Sequence, residues 1–263
     1  MQPTNNSERF INRELSWLSF NDRVLQEAAD RSNPLIQRMR FLGIFSNNRD
    51  EFFRVRVATV RRIAALKGKK KLLGNRTPQE LLQEIQGIVV GQEDKFESIY
   101  QELIREMEKY NIFVVNETQL NPEQGKFVRQ FYNERIRPIL VPIMLQYTRE
   151  FPYLREQPIY FAVKLSKKNE PRKTRYALLD LATEILPRFV VLPSVGNKKF
   201  IIIMEDIVRY SLNDIFSFFD YDKAEAYTIK ITRDAELDID DDISKSFMEK
   251  MSLGLEKRKR GQP

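Results

Sequence analysis

The sequence contains no cysteine and no histidine. These two absences exclude disulfides, thiolate–zinc sites, cysteine nucleophiles and every imidazole mechanism from the chain. Any chemistry it carried would rest on carboxylates, lysine, hydroxyls or a carboxylate-bound metal. Long apolar runs are missing as well. The longest, such as 139–145 and 200–204, fall short of the ~18 residues of a membrane helix. The first 30 residues are charged throughout and hold no apolar core of a signal peptide. The expected setting is the cytoplasm, with membrane association through partners left open.

Phosphate-cradling loops are absent too. No Gly-x-x-x-x-Gly-Lys-Ser/Thr occurs, since Gly68-Lys69 has no glycine five residues before it, and no Gly-x-Gly-x-x-Gly exists. A nucleotide would therefore be met at an edge of its site and not by a loop wrapped around the phosphates.

What remains is a chain of 263 residues, comfortable for two domains, with an ordinary 42% apolar and 31% charged composition. The net charge of +7 is unevenly spread. Residues 31–76 hold thirteen Lys/Arg and two acids, Asp50 and Glu51, giving +11, whereas residues 77–109 hold three Lys/Arg and eight acids, giving −5. The first segment suits a polyanion such as nucleic acid, a phosphate chain or a nucleotide. It equally suits a solvated helical face balanced by the acidic helix that follows.

Periodicity predicts an all-helical N-terminal bundle over 1–109 and a mixed α/β domain over 110–263, an α+β multidomain fold. Ser19, with Asp22 three residues on, is a candidate N-cap, and Val24, Leu25, Ala28 and Ala29 follow at helical spacing. Trp17 reads as a core anchor between helices. Asn33-Pro34 predicts a helix start with Pro34 at the first helical position, carrying Leu35, Ile36, Met39, Leu42 and Phe45. Asn47-Asn48 favours a break, because asparagine tolerates the left-handed conformation that ends helices. A further helix over 50–67 would place Phe52, Val55, Thr59, Ile63 and Leu66 on one side. Thr77-Pro-Gln-Glu80 is a capping box opening a helix to about residue 109, in which Gly87 and Gly91 weaken it or permit close helix contact.

Beyond Tyr110 the texture changes. A short run at 112–115, a helix from Asn121-Pro122 to about 135, strands at 137–145, 159–166, 175–181, 189–192, 199–203 and 226–232, and a helix at 205–216 are predicted, with a last helix at 242–260. Prolines at 138, 142, 152, 158, 171, 187 and 193 favour short or edge strands. Asp238-x-Asp240-x-Asp242 with Glu249 has an EF-hand spacing, but Ile243 stands where the sharp turn needs glycine; the plainer reading is acids at a helix N-terminus.

Asn48 has two readings. Its amide offers a donor and an acceptor side by side, matching the ring nitrogen and exocyclic amine of adenine; it could also cap a helix. Arg38, Arg40, Arg49, Arg54 and Arg56 could hold phosphates by bidentate hydrogen bonds, or pair with Asp50, Glu51 and the acidic helix.

Glu14-Leu-Ser-Trp-Leu-Ser-Phe-Asn21, Arg23-Val-Leu-Gln-Glu-Ala28, Asn33-Pro34, Met39-Arg-Phe-Leu-Gly-Ile-Phe-Ser-Asn-Asn48 and Asp50-Glu-Phe-Phe53 closely resemble the start of bacterial polyphosphate kinases of the first type. Arg175-Tyr-Ala-Leu-Leu179, Leu186-Pro-Arg-Phe189, Phe219-Asp-Tyr-Asp222 and Thr232-Arg-Asp-Ala-Glu236 resemble the second, or head, domain of that family. The resemblance implies a four-domain enzyme that passes the terminal phosphate of ATP reversibly to polyphosphate through a phosphorylated histidine. It places that histidine, and the magnesium-linked arginines, in C-terminal domains outside this chain, so that no catalytic residue and no metal ligand is expected here. It assigns nucleotide binding to Asn48. Its implied partners are ATP, polyphosphate, the C-terminal catalytic domains and a second copy in a homodimer supported by the head domain, with no nucleic acid. Lys257-Arg-Lys-Arg-Gly-Gln-Pro263 stops just after a predicted helix, where the family continues into a strand; the expectation is a truncated chain.

Two readings from other classes stand beside this one: a non-enzymatic nucleic-acid-binding module using the basic surface 31–76, and a structural dimerisation segment. The missing histidine yields a direct expectation. Pure chain incubated with labelled ATP should form no polyphosphate, and label appearing in acid-insoluble polymer would contradict the assignment of the chemistry to other domains.

Overall fold

The computed structural model describes residues 11–65, 76–148, 151–156, 158–167 and 170–233. These fall into two compact units, one reaching Glu106 and one running from Met107 to Ile231. Helix and sheet are both present, the described residues before Glu108 being helical and those after it mixed. Among the described residues no helix is long and apolar enough to cross a membrane.

The first unit is built on α1 (Arg13–Ala29), α2 (Leu35–Glu51), α3 (Ala58–Ala65) and α4 (Pro78–Glu108). Asn12, not Ser19, caps α1: its side chain accepts from the Glu14 and Leu15 amides, satisfying donors that the first helical turn leaves without partners. Ser19 lies inside the helix and donates its hydroxyl to the Leu15 carbonyl at 3.1 Å. Pro34 stands at the cap position of α2 itself, and Asn33 turns away to donate to the Glu27 carbonyl at 3.0 Å. The capping box at α4 forms as the sequence predicts, Thr77 Oγ1 accepting from the Glu80 amide and Glu80 Oε2 from the Thr77 amide. Gly87 and Gly91 meet no neighbour where a Cβ would stand, so close helix contact does not explain them.

No break occurs at Asn47-Asn48. Helix α2 runs through both asparagines and continues by a π-helical turn, Phe52–Val57, into α3. The π turn inserts one extra residue into the repeat. It also changes which residues face inward: Phe52, Val57 and Val60 are buried, while Val55, Thr59 and Ile63 are only half-buried. An uninterrupted 3.6-residue period from Phe52 selects the wrong face because a five-residue step intervenes.

Two apolar clusters result. One gathers Leu18, Phe52, Val57, Val60, Leu81 and Ile85; the other gathers Leu25, Ala28, Leu42, Phe45 and Leu103. Trp17 packs on the first, its ring stacked on Phe52 at 4.6 Å and 11°. At the far end of the second, Arg38 is only 1% exposed. It donates to the Ala28 carbonyl at 2.8 Å, where α1 has run out of its own donors, and pairs with Glu106 at 2.7 Å and Glu102 at 3.1 Å. The hydrogen bond from Arg38 holds the Glu102 carboxyl below its usual range.

The second unit holds two sheets. Strands β1 (Ile112–Val115), β6 (Lys198–Ile203) and β5 (Phe189–Val195) lie in the order β1-β6-β5, with β1 parallel and β5 antiparallel to β6. Strands β2 (Pro142–Met144), β4 (Glu170–Asp180), β3 (Ile159–Lys167) and β7 (Lys223–Lys230) form an antiparallel sheet in the order β2-β4-β3-β7. Gly196, at φ +59°, makes the left-handed turn between β5 and β6. Helix α5 (Pro122–Phe131), opened by an Asn121–Gln124 capping box, continues as a π turn, Tyr132–Ile136. Val128, Tyr132 and Ile136 on this helix, Phe161, Val163 and Leu165 on β3, and Ile202 on β6 belong to one core.

Two expectations change here. The strand predicted at 137–145 shrinks to Pro142–Met144, because the helical turn runs on and the Arg137 and Leu140 amides bond back to Tyr132 and Ile136. The helix predicted at 205–216 divides at Ser211 into α6 (Met204–Tyr210) and α7 (Leu212–Ile215). The helix predicted at 242–260 and the acidic spacing from Asp238 to Glu249 lie outside the described residues.

Asp206 on α6 and Glu117 in the turn after β1 share the guanidinium of Arg209, whose Nε lies 3.7 Å from the first and 3.9 Å from the second. Burial, reinforced by the Glu117 carboxylate, pushes Asp206 up from 3.8 to about 6. A raised carboxyl pKa favours the protonated form in the fold, so stability from this group is full below 3.8 and is lost as pH rises through about 6. Asp206→Asn should therefore stabilise the protein by on the order of 2 kcal/mol above pH ~7 and leave it unchanged near pH ~4, read by urea unfolding at both pH values. Arg38→Met should cost about 3 kcal/mol in the same assay, since it orphans the Ala28 carbonyl, unpairs Glu106 and leaves Glu102 with Arg31 alone.

Candidate functional site

Helix α2 places Asn48 three residues after buried Phe45 and four before buried Phe52, on the margin of the inward face. It is half-buried, and it falls between the two apolar clusters of the first unit. The same level of α1 carries Asn21, fully buried between Leu18 and Leu25. Asn48 Nδ2 donates to Asn21 Oδ1 at 3.1 Å, and Asn21 Nδ2 donates to the Phe45 carbonyl at 3.3 Å. From α4, buried Gln92 donates to the Leu18 carbonyl at 2.9 Å. Three amide side chains thus form a polar layer across the helices.

The layer leaves the acceptor of Asn48 open. Its Oδ1 makes no hydrogen bond among the described residues, and its second Nδ2 hydrogen is likewise uncommitted. An amide tied to the core on one side and carrying a donor and an acceptor on the other can recognise an edge that presents the complementary pair. Arg49 flanks it, with its guanidinium 5.7 Å from the centre of the Phe45 ring and 3.9 Å from Glu93.

The basic segment divides sharply. Arg31, Arg38, Arg49 and Arg76 pair with Glu102, Glu102 and Glu106, Glu93 and Glu84 on α4. The acidic helix therefore neutralises much of the charge that marked 31–76. Arg40 and Arg61 are exposed and Arg56 half-exposed, and none of the three is ion-paired among the described residues. Among the described residues of the segment, these are cations open to a polyanion.

Among the described residues no group of three or more acids is placed to hold a metal ion. The magnesium that the resemblance implies finds no fitting ligand set in them. In the second unit a shallow pocket of about 400 Å³ is lined by Glu117, Arg209, Asn213, Glu225 and Tyr227. Its one arginine is committed, Nη1 to the Ala226 carbonyl and Nε to Glu117 and Asp206, so the pocket offers no free cation to a phosphate.

Sequence reasoning singled out Asn48 and missed Asn21 and Gln92. The signal was present for Asn21: Leu18, Asn21, Leu25 and Ala28 share one helical face, with a single polar member.

Comparison with known proteins follows the same division. Residues 10–115 match the polyphosphate kinase N-terminal domain, and residues 123–263 match the polyphosphate kinase middle domain. A polyphosphate kinase of Vibrio vulnificus is 43% identical over 255 residues, which is 95% of this chain and 35% of that protein. One from Escherichia coli is 42% identical over 258 residues, 97% of this chain and 37% of that protein. The crystal structure of polyphosphate kinase from Porphyromonas gingivalis superposes with a TM-score of 0.75 at 34% identity, over 88% of this chain and 34% of that one. The chain thus spans about a third of the length of the curated relatives it matches. With two consecutive domains matched in order, the chain belongs to the polyphosphate kinase family.

Proposed function

We propose that this chain serves as the N-terminal part of a polyphosphate kinase that transfers the terminal phosphate of ATP, reversibly, to polyphosphate. The phosphorylated histidine belongs to domains outside it, a placement consistent with the absence of histidine from this chain. The helical residues of 1–109 form the bundle that borders the adenine side of the ATP site, and 110–263 form the head domain that supports a homodimer. Magnesium accompanies the nucleotide on ligands supplied elsewhere. The enzyme acts in the cytoplasm.

The observation that carries this reading is the state of Asn48. Its side chain is anchored through Nδ2 on buried Asn21 while Oδ1 is left without a partner among the described residues. A residue serving only as a helix cap would spend its oxygen on backbone amides at a helix start; Asn48 sits inside a continuous helix and caps nothing. Exposed Arg40 and Arg61 add positive charge to the same helical segment, favourable for a phosphate chain. A nucleic-acid module draws no comparable support, since α4 already neutralises four of the arginines that suggested it.

In the complete enzyme, Asn48→Ala should weaken ATP binding by about tenfold, the loss of one or two hydrogen bonds to the base, and lower stability by about 1–3 kcal/mol, because the buried Asn21 oxygen loses its donor. Equilibrium ATP binding beside thermal unfolding checks this. A fall in melting temperature with unchanged ATP affinity would assign Asn48 to structure alone.

A further inference from the structure

The hydrogen bonds around Asn48 form a directional chain, and its direction is set at a backbone atom. The Phe45 carbonyl can only accept, so the group of Asn21 facing it must be Nδ2. Asn21 has one other polar atom, Oδ1, and this must face Asn48. An amide oxygen can only accept, so Asn48 must present its Nδ2 to Asn21 and turn its Oδ1 away from the layer. Neither amide can flip alone. Reversing Asn48 would set two oxygens against each other; reversing Asn21 would set its oxygen against the Phe45 carbonyl in a site where Asn21 is 0% exposed.

We propose that Asn21 is a positioning residue that fixes the polarity of Asn48 and thereby makes the nucleotide contact select adenine over guanine. This rests on the reading of Asn48 as the base contact. With its polarity fixed, Asn48 presents an acceptor for an exocyclic amine. Adenine carries an amine at position 6. Guanine carries a carbonyl oxygen there, which would face the Asn48 oxygen acceptor to acceptor. A free asparagine would rotate to suit either base; one whose amide is locked from below does not. Asn21 is thus the specificity device, though it touches no ligand.

The test measures dissociation constants of the complete enzyme for ATP and GTP, together with its melting temperature. Asn21→Ala should lower the preference for ATP over GTP by about fivefold or more, because Asn48 is then free to turn. Asn21→Asp should keep the preference within about twofold: its carboxylate still accepts from Asn48, although it loses the bond to the Phe45 carbonyl and destabilises the protein at least as much as alanine does. Specificity and stability would then move separately, which a merely structural role cannot produce. If the alanine variant keeps the preference, or if the aspartate variant loses it in step with its melting temperature, the inference is overturned. The unmutated enzyme gives an independent reading should the variants fold poorly. Purine riboside triphosphate, which lacks the 6-amino group, should bind about fivefold or more weakly than ATP; equal binding overturns the acceptor assignment. Asn48→Ala separates the two levels. If it leaves ATP affinity unchanged, the base contact itself is wrong and this inference falls with it; if it weakens ATP while Asn21→Ala leaves the ATP:GTP ratio intact, only the positioning role fails.

Discussion

A buried donor or acceptor without a partner costs more than a made hydrogen bond returns, and the helical unit is arranged around that asymmetry. Its apolar interior is interrupted by amides from three helices: Asn21 on α1, Asn48 on α2 and Gln92 on α4. Sliding α2 along α1 by one turn would bring isoleucine or phenylalanine opposite Asn21 and strand its amide, and sliding α4 would strand that of Gln92. The apolar clusters on either side would tolerate such a slip far better, since burial is not directional. The polar layer therefore specifies register, as a lone asparagine does in a helical seam. Arg38 acts in the same way at the other end. A guanidinium spent on the terminal carbonyls of α1 and two acids of α4 has only one place to sit.

Much of this unit was legible in the order of residues, and the failures have a common origin. The capping box at Thr77 was readable because both partners lie within one helical turn, and the start of α5 in the second unit was readable from Asn121-Pro122. Leu25, Ala28, Leu42 and Phe45, read at helical spacing, are indeed core. The break expected at Asn47-Asn48 was not there, because tertiary packing outweighed a local preference: burying Phe45 and Phe52 on one continuous face satisfies the helix and leaves Asn48 to bond sideways. The π turn that follows could not be seen in a fixed-period scan at all. It changes the period itself, and only the packing of Val57 and Val60 reveals the step.

The site was legible to a smaller degree. Asn48 stood out through its resemblance to a family pattern, whereas its chemistry depends on a residue 27 positions away in sequence. No periodicity ties positions 21 and 48, since their contact is made by the packing of α1 on α2. The charge pattern left two readings open, a polyanion surface and a face balanced by the acidic helix. Of the thirteen cations over 31–76, the acids of 77–109 come back along α4 and claim several, as the second reading expected. Sequence segments with opposite charge are as often partners as they are separate surfaces, and only the fold says which.

On the reading proposed above, a helical unit without histidine, and with no metal cluster among its described residues, can still determine which nucleotide reaches the chemistry of another domain. What it needs is rigidity at one recognising group, because a contact that adapts to every base discriminates among none. Rigidity of that kind is hard to obtain from an exposed loop, whose backbone is free to accommodate. Asn48 instead projects from the middle of a helix locked on both sides by buried aromatic rings and from beneath by a second amide. The polar layer that fixes helix register and the polarity that would favour adenine are then the same hydrogen bonds. Specificity in such a unit is inherited from the folding of the core.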